Sequence, residues 1–221
     1  MSGGAVHIVG AGLAGLSAAV CSVDAGLPTI VYEATGAAGG RCRSFFDKAL
    51  GVEIDNGNHL LLSGNRVALD YLKRIGSLDR LTGPDAAVFD FADLKTGERW
   101  RLRPNDGRAP WWLFDRSRRA PGTALSEYFA PLSVFWAPST AVLSHAMSCS
   151  GPLYERLWRP VLLSALNTEP AESSASLVAA ILRETLGAGG RACRPLTTRD
   201  GLSRTLIDPA LEQDELAQEG A

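Results

Sequence analysis

Six residues, Gly10-Ala11-Gly12-Leu13-Ala14-Gly15, follow directly on the apolar run Val6-His7-Ile8-Val9 and lead into a small-residue helical stretch ending near Ala25. Few folds accommodate that order. Glycine at position 10 lets a strand turn sharply, Gly12 lets backbone approach a diphosphate, and Gly15 lets the following helix lie close on the sheet. An anion at the start of that helix, beside Leu13 and Ala14, meets free amide groups and the positive end of the helix dipole. A second strand, Thr29-Ile30-Val31-Tyr32, ends on Glu33. That acid stands roughly 20 residues beyond the glycines, where its carboxylate can accept hydrogen bonds from ribose hydroxyls. Strand, loop, helix, strand and acid in this order predict a dinucleotide site.

The next segment carries compatible chemistry. Gly39 and Gly40 permit close approach of backbone amides, and Arg41 and Arg43 bring guanidinium groups that grip phosphate oxygens in a bidentate fork. Gly51 to Asp55 alternates like a strand and runs into Asn56-Gly57-Asn58-His59, a turn rich in hydrogen-bonding groups. A helix is predicted over Asn65 to Ile75, with Val67, Leu69, Leu72 and Ile75 apolar and Gly76 as its stop.

From Ala87 the pattern changes. Residues 88–94 and 98–103 flank Lys95-Thr96-Gly97 and read as a β-hairpin. Seven arginines lie between Arg99 and Arg119, interleaved with Trp100, Trp111, Trp112 and Phe114. The mixture invites a nucleic-acid reading. The strand alternation and a net charge of -2 with pI near 5.9 favour a solvated face instead. Residues 125–147 are apolar but broken by Pro131 and Pro138, which predicts short helices rather than a membrane span, in a segment suited to plain core, a greasy pocket or a bilayer surface. Helices are predicted over Pro152 to Leu166 and over Ser174 to Leu186, the second with Gly187 as its stop.

With 221 residues, 46% of them hydrophobic, the chain has ample material for a buried core. Cys21, Cys42, Cys149 and Cys193 are far apart and form no zinc or disulfide framework, so no metal is expected and a reducing compartment is. The apolar stretch near the start is no signal core, because the first basic residue is Arg41.

Later motifs narrow the reading. GAGLAGLSAAV (Gly10 to Val20), YEA (Tyr32 to Ala34), GGRCRS (Gly39 to Ser44), DNGNHLLLSGN (Asp55 to Asn65), PWWLFD (Pro110 to Asp115), GPLYERLWRP (Gly151 to Pro160), ALNTEP (Ala165 to Pro170) and GGRACRP (Gly189 to Pro195) together resemble the squalene-associated FAD-dependent desaturases. These are the hydroxysqualene dehydroxylases of bacterial squalene and hopanoid synthesis, within the flavin amine oxidase and phytoene desaturase superfamily. The resemblance runs from Val6 to about Leu211.

It implies an α/β fold: a Rossmann-like FAD-binding domain beginning in residues 1–80, an α+β substrate domain over 81–195, and a helix in 196–221 leading back toward the first domain. It implies FAD as cofactor and hydroxysqualene, reduced to squalene, as substrate. Gly10, Gly12, Leu13, Ala14 and Gly15 would hold the diphosphate, Glu33 the adenosine ribose, and Gly40, Arg41 and Arg43 the diphosphate and flavin side. Gly57, Asn58 and His59 would lie near the isoalloxazine. Glu127, His145, His59 and Glu155 are proton donors by residue type alone, so no catalytic residue is assigned. The implied location is cytoplasmic, with membrane contact suggested by the C30 substrate, and no nucleic acid is expected as partner.

Members of that family are roughly twice as long. After a helix over Leu202 to Leu211 the resemblance expects a strand returning to the first domain, and Glu212 to Ala221 does not read as one. A chain lacking the later strands would expose a sheet edge and apolar faces, favouring aggregation or a missing partner. An inactive FAD-domain fragment is thus one alternative reading, and a carotenoid desaturase or amine oxidase is another. Gly10 to Glu33 alone would also suit a nicotinamide enzyme; Arg41 and the segment Asp55 to His59 favour FAD.

Overall fold

A computed structural model of the chain describes residues 4–57 and 59–212 and the backbone of residues 216–220. In chain order the strands are β1 (Val6–Val9), β2 (Thr29–Glu33), β3 (Ser44–Asp47), β4 (Val52–Asp55), β5 (Leu61–Leu62), β6 (Leu81–Thr82), β7 (Phe89–Ala92), β8 (Arg99–Leu102), β9 (Pro195–Thr198) and β10 (Leu216–Gly220). The α-helices are α1 (Leu13–Asp24), α2 (Arg66–Arg74), α3 (Leu143–Ala146), α4 (Arg159–Leu166), α5 (Ala175–Glu184) and α6 (Asp208–Leu211). Two compact units form, one from Met1–Leu61, Asn65–Gly83 and Leu196–Ala221, the other from Leu62–Gly64 and Pro84–Pro195.

The first unit is built on the predicted βαβ element. β1 and β2 pair in parallel, Val6 opposite Thr29 through Val9 opposite Tyr32. Parallel neighbours need a crossover, and α1 supplies it while burying Leu16, Ala19 and Val20, a spacing that keeps them on one helical face. These residues join Val31, Leu72, Leu202, Leu206 and Ile207 in one core. α2 occupies the predicted place, with Asn65 before it and Ile75 after it. Val67 departs from the expected apolar stripe and is exposed. At 100° per residue it points about 140° away from Leu72, and Tyr71 takes the inward position instead.

Beyond α2 the sequence reading missed a strand. β10 adds in parallel to β2 on the side away from β1, Leu216 opposite Thr29 through Gly220 opposite Glu33. The segment has no β-branched or aromatic residue to announce a strand. Its extended form comes from the free ladder of β2, not from local propensity.

The second unit contains the β7–β8 hairpin, Phe89 opposite Leu102 and Phe91 opposite Trp100. Alternation sorts its side chains as expected: Trp100 and Leu102 turn inward while Arg99, Arg101 and Arg103 stay exposed. Leu125–Trp136 is a run of 3-10 helix, in which i and i+3 eclipse, and its buried residues Tyr128, Pro131 and Val134 keep that period of three.

Each unit also contains a helix with a π turn just ahead of a proline. Tyr154–Trp158 precedes Pro160, and Ser203–Ile207 precedes Pro209. A proline has no amide to give and its ring crowds the carbonyl four residues back, so a widened turn relieves both faults without ending the helix. For Pro209 the carbonyls left without a helix donor are those of Thr205 and Arg204. Ser77 Oγ donates to the Thr205 oxygen at 2.6 Å, and Arg80 Nη1 donates to the Arg204 oxygen. Tyr71 adds a third bond of this kind, its hydroxyl donating to the Leu206 oxygen at 2.7 Å. The predicted helices Pro152 to Leu166 and Leu202 to Leu211 are present on this footing. α5 stops at Glu184, earlier than the Gly187 stop, because Thr185 leaves helical geometry and Gly187 falls in a following 3-10 turn.

Candidate functional site

The glycine loop has the geometry its sequence requires. Gly10 takes φ +98° and donates its amide to the Tyr32 oxygen at 2.7 Å, which ties the sharp turn to the end of β2. At Gly15 an added Cβ would lie 1.9 Å from the Gly10 oxygen and 3.4 Å from Ile8 Cγ2, so only glycine lets α1 sit this close to the turn. Gly12 precedes α1; no side chain caps the helix and no acidic residue stands in its first turn. The amide end beside Leu13 and Ala14 is therefore available to an anion. An added Cβ on Gly12 would meet nothing within 4 Å, so open space lies in front of that end.

Two further segments converge on the loop. Glu33 Oε2 accepts from the Ala11 amide at 2.8 Å, while Oε1 accepts from the Thr35 amide and hydroxyl, both at 2.9 Å. Thr35 Oγ1 also lies 2.9 Å from the Ala37 oxygen and has one proton to share between the two acceptors, so the carboxylate keeps acceptor capacity for a hydroxyl donor. The Thr35 amide, then the Ala11 amide and the Thr35 hydroxyl, hold the Glu33 carboxyl below the usual glutamate range. From the other side, the Gly39 amide donates to the Ala11 oxygen at 2.8 Å, and a Cβ on Gly40 would lie 3.7 Å from Gly12 Cα. Glu33, the glycine loop and the Gly39-Gly40 turn are thus one hydrogen-bonded platform.

The arginines differ in setting. Arg41 is exposed, whereas Arg43 is half-buried and its Nε is buried without a hydrogen-bond partner. An orphaned guanidinium nitrogen of this kind is costly unless an oxygen ligand meets it. The Asn56 amide donates to the Arg43 oxygen at 2.9 Å and Asn56 Nδ2 to the Arg41 oxygen at 3.3 Å, so the turn after β4 fixes the backbone bearing both arginines. Gly57 follows, and a Cβ there would lie 3.5 Å from Nε2 of the exposed His59. Asn58 lies outside the described residues.

Sequence reasoning missed the latch that holds these turns. Asp55 Oδ1 accepts from Ser44 Oγ at 2.6 Å and from the Leu202 amide at 2.9 Å, while Ser44 and Ser203 exchange amide-to-hydroxyl bonds at 2.7 and 3.0 Å. The start of the helix after Gly201 is thereby capped from β3 and β4. Gly201 has φ +89°, and a Cβ there would come within 2.9 Å of Ser44 Oγ. Its place in Arg199-Asp200-Gly201-Leu202-Ser203 was the available signal.

None of the four candidate proton donors is assembled into a catalytic group. Glu127 has both oxygens on backbone, accepting from the Ala124 amide at 2.8 Å and the Leu153 amide at 3.0 Å. It ties two helix starts together. His145 and Glu155 are exposed on the second unit and His59 on the first. Among the described residues no cluster of His, Cys, Asp or Glu could hold a metal, and no helix is long and apolar enough to cross a membrane. Cys42 and Cys193 are buried, and burial raises both thiols, Cys193 to about 12.

Because Glu33 has its acidity strengthened by folding, its contribution is present above the ordinary glutamate range and is lost as pH falls through the depressed value. Melting temperatures of the parent and of Glu33→Gln are therefore expected to differ at neutral pH and to converge in acid.

The family described as flavin containing amine oxidoreductase matches residues 13–216. Hydroxysqualene dehydroxylase of Rhodopseudomonas palustris is 52% identical over 208 residues, covering 94% of this chain and 50% of its own length. The protein of the same name from Sinorhizobium fredii is 53% identical over 207 residues, with the same coverage of 94% and 50%. This chain spans about half the length of the curated relatives it matches. Among solved structures, cyclohexylamine oxidase from Brevibacterium oxydans superposes with a TM-score of 0.60 at 18% identity, over 97% of this chain and 51% of that one. At that identity the likeness is one of fold, and it agrees with the α/β class expected from the sequence.

Proposed function

Since the chain belongs to the flavin containing amine oxidoreductase family, whose members imply a flavin cofactor, we propose that its first unit binds FAD and that it serves the reduction of hydroxysqualene to squalene. The observation that carries the substrate reading is the 52% identity to a hydroxysqualene dehydroxylase over 94% of this chain. What supports the choice of FAD is the platform around Ala11, which suits an adenosine diphosphate.

In this reading the amide end of α1, at Gly12, Leu13, Ala14 and Gly15, holds the diphosphate, with Gly10 setting the turn. The Glu33 carboxylate accepts from a ribose hydroxyl. Gly40 allows backbone to come close on the opposite side, and Arg41 and Arg43 neutralise phosphate charge, Arg43 gaining a partner for its buried Nε. Gly57 and the exposed His59 would stand near the flavin ring, as the resemblance implies. A reduced flavin bound there would supply the hydride that, with one proton, exchanges the allylic hydroxyl for hydrogen and releases water, and an external reductant would have to restore it. The protein's part is to hold the carbon at the ring and exclude water.

The test supplies the purified chain with FAD, dithionite and hydroxysqualene, alone and together with the remaining half of the Rhodopseudomonas palustris relative, and measures squalene. Squalene formation in either arm, with phytoene and amines unchanged, is the expected result. Flavin retention with no squalene in both arms contradicts the substrate, and failure to retain flavin contradicts the cofactor.

A further inference from the structure

We infer that Tyr154 and Trp158 recognise the single oxygen of an apolar alcohol, the phenol O–H and the indole N–H of one helical turn both donating to it. The inference rests on the hydroxysqualene reading for the identity of the alcohol and on the second unit alone for the donors. Both residues lie in the π turn Tyr154–Trp158, where they are 4% and 5% exposed. A separation of four residues keeps them on one helical face. They join Met147, Leu153, Leu157 and Leu162 in the core of that unit.

Among the described residues, Tyr154 Oη and Trp158 Nε1 are each buried without a nitrogen or oxygen partner. Buried phenol and indole donors ordinarily find one. Packing asks for the rings and not for the two polar atoms. Neighbouring groups do not fill the gap. The Cys149 thiol beside the phenol is a weak acceptor, and its own Sγ donates toward the Met147 oxygen at 3.7 Å. Glu169, whose charge reaches Tyr154, is held by Arg159 through two bonds at 2.9 and 3.0 Å. Burial, and then the Cys149 thiol, raises the phenol to about 12, so it stays protonated and able to donate at neutral pH. The indole N–H can only donate. Two such donors among apolar side chains match an uncharged oxygen with two lone pairs on a hydrocarbon. An ammonium group matches them poorly, because its hydrogens would face the indole N–H.

The test titrates the 221-residue chain with two matched pairs, hydroxysqualene against squalene and farnesol against farnesene, by equilibrium dialysis. Each alcohol should bind at least about tenfold tighter than its hydrocarbon. Tyr154→Phe and Trp158→Phe should each remove most of that preference. The ratio is the readout, so a void left by the smaller ring in Trp158→Phe cancels between alcohol and hydrocarbon. The melting temperature of Tyr154→Phe should hold or rise, because the change deletes an unpaired hydroxyl. Bound farnesol should slow alkylation of the half-buried Cys149 and leave the rate at the exposed Cys21 unchanged. No preference for either alcohol in the parent chain, a preference intact in Tyr154→Phe, or Cys149 alkylated as fast with farnesol bound overturns the inference. The substrate reading fails separately. A farnesol preference that Tyr154→Phe abolishes, with no squalene formed from hydroxysqualene by the parent, supports the donor pair and removes that substrate. Squalene formed by Tyr154→Phe at the parent rate keeps the substrate and overturns the donor pair.

Discussion

Gly15→Ala is expected to abolish flavin retention and to destabilise the first unit by about 3 kcal/mol or more, at or beyond the upper end for an overpacked core. The added methyl would lie 1.9 Å from the Gly10 oxygen. That oxygen belongs to a backbone turn whose amide is bonded to Tyr32, so no side-chain rotation can clear the clash. α1 would have to lift off the sheet, taking the buried Leu16, Ala19 and Val20 with it. Gly12→Ala is expected to separate binding from folding. Its methyl meets nothing within 4 Å at an ordinary φ of −73°, so the melting temperature should hold, yet it occupies the space a diphosphate must enter. Thermal melts and FAD titrations of the two variants check both outcomes. Unchanged flavin affinity in Gly12→Ala would remove the diphosphate from that position.

Ser77→Ala is expected to cost about 1–3 kcal/mol, the penalty for stranding a buried carbonyl. Ser77 and Thr205 are both fully buried, and the Ser77 hydroxyl donates to the one carbonyl that Pro209 leaves without its α-helical donor. With Pro209→Ala an amide returns to the helix, and Ser77→Ala on that background should cost less than it does in the parent chain. Denaturant unfolding of the four proteins in the cycle measures this. Equal costs on the two backgrounds would show that the serine compensates for something other than the proline.

Where the sequence could be read, the interaction was local or periodic. Gly10, Gly12, Gly15 and Glu33 announced the βαβ element because a tight turn, a close helix and an acid at the end of β2 are constraints of short-range order. The hairpin was visible in the alternation of Arg99, Trp100, Arg101 and Leu102. The helices around Pro160 and Pro209 were visible in their apolar spacing. Their π turns were not, since one depends on Ser77 and Arg80 meeting carbonyls more than a hundred residues away.

The same limit hid the latch. Ser44 and Asp55 sit in motifs that pointed toward a cofactor, and their bonds to Leu202 and Ser203 are made only once the chain has closed on itself. Glu127 looked like a free acid by type, whereas the amides of Ala124 and Leu153 take both of its oxygens. β10 had no local signal at all and exists through its pairing with β2.

The most direct measurement is a titration of the purified chain with FAD, FMN and NAD, followed by gel filtration and an absorption spectrum of the protein fraction. If α1 holds a diphosphate and Glu33 a ribose hydroxyl, FAD alone is retained, with its visible bands travelling with the protein, and Glu33→Ala loses it. Retention of FMN equal to that of FAD, or of no flavin by a folded chain, would contradict the assignment of the Gly10 to Arg43 platform as an FAD site.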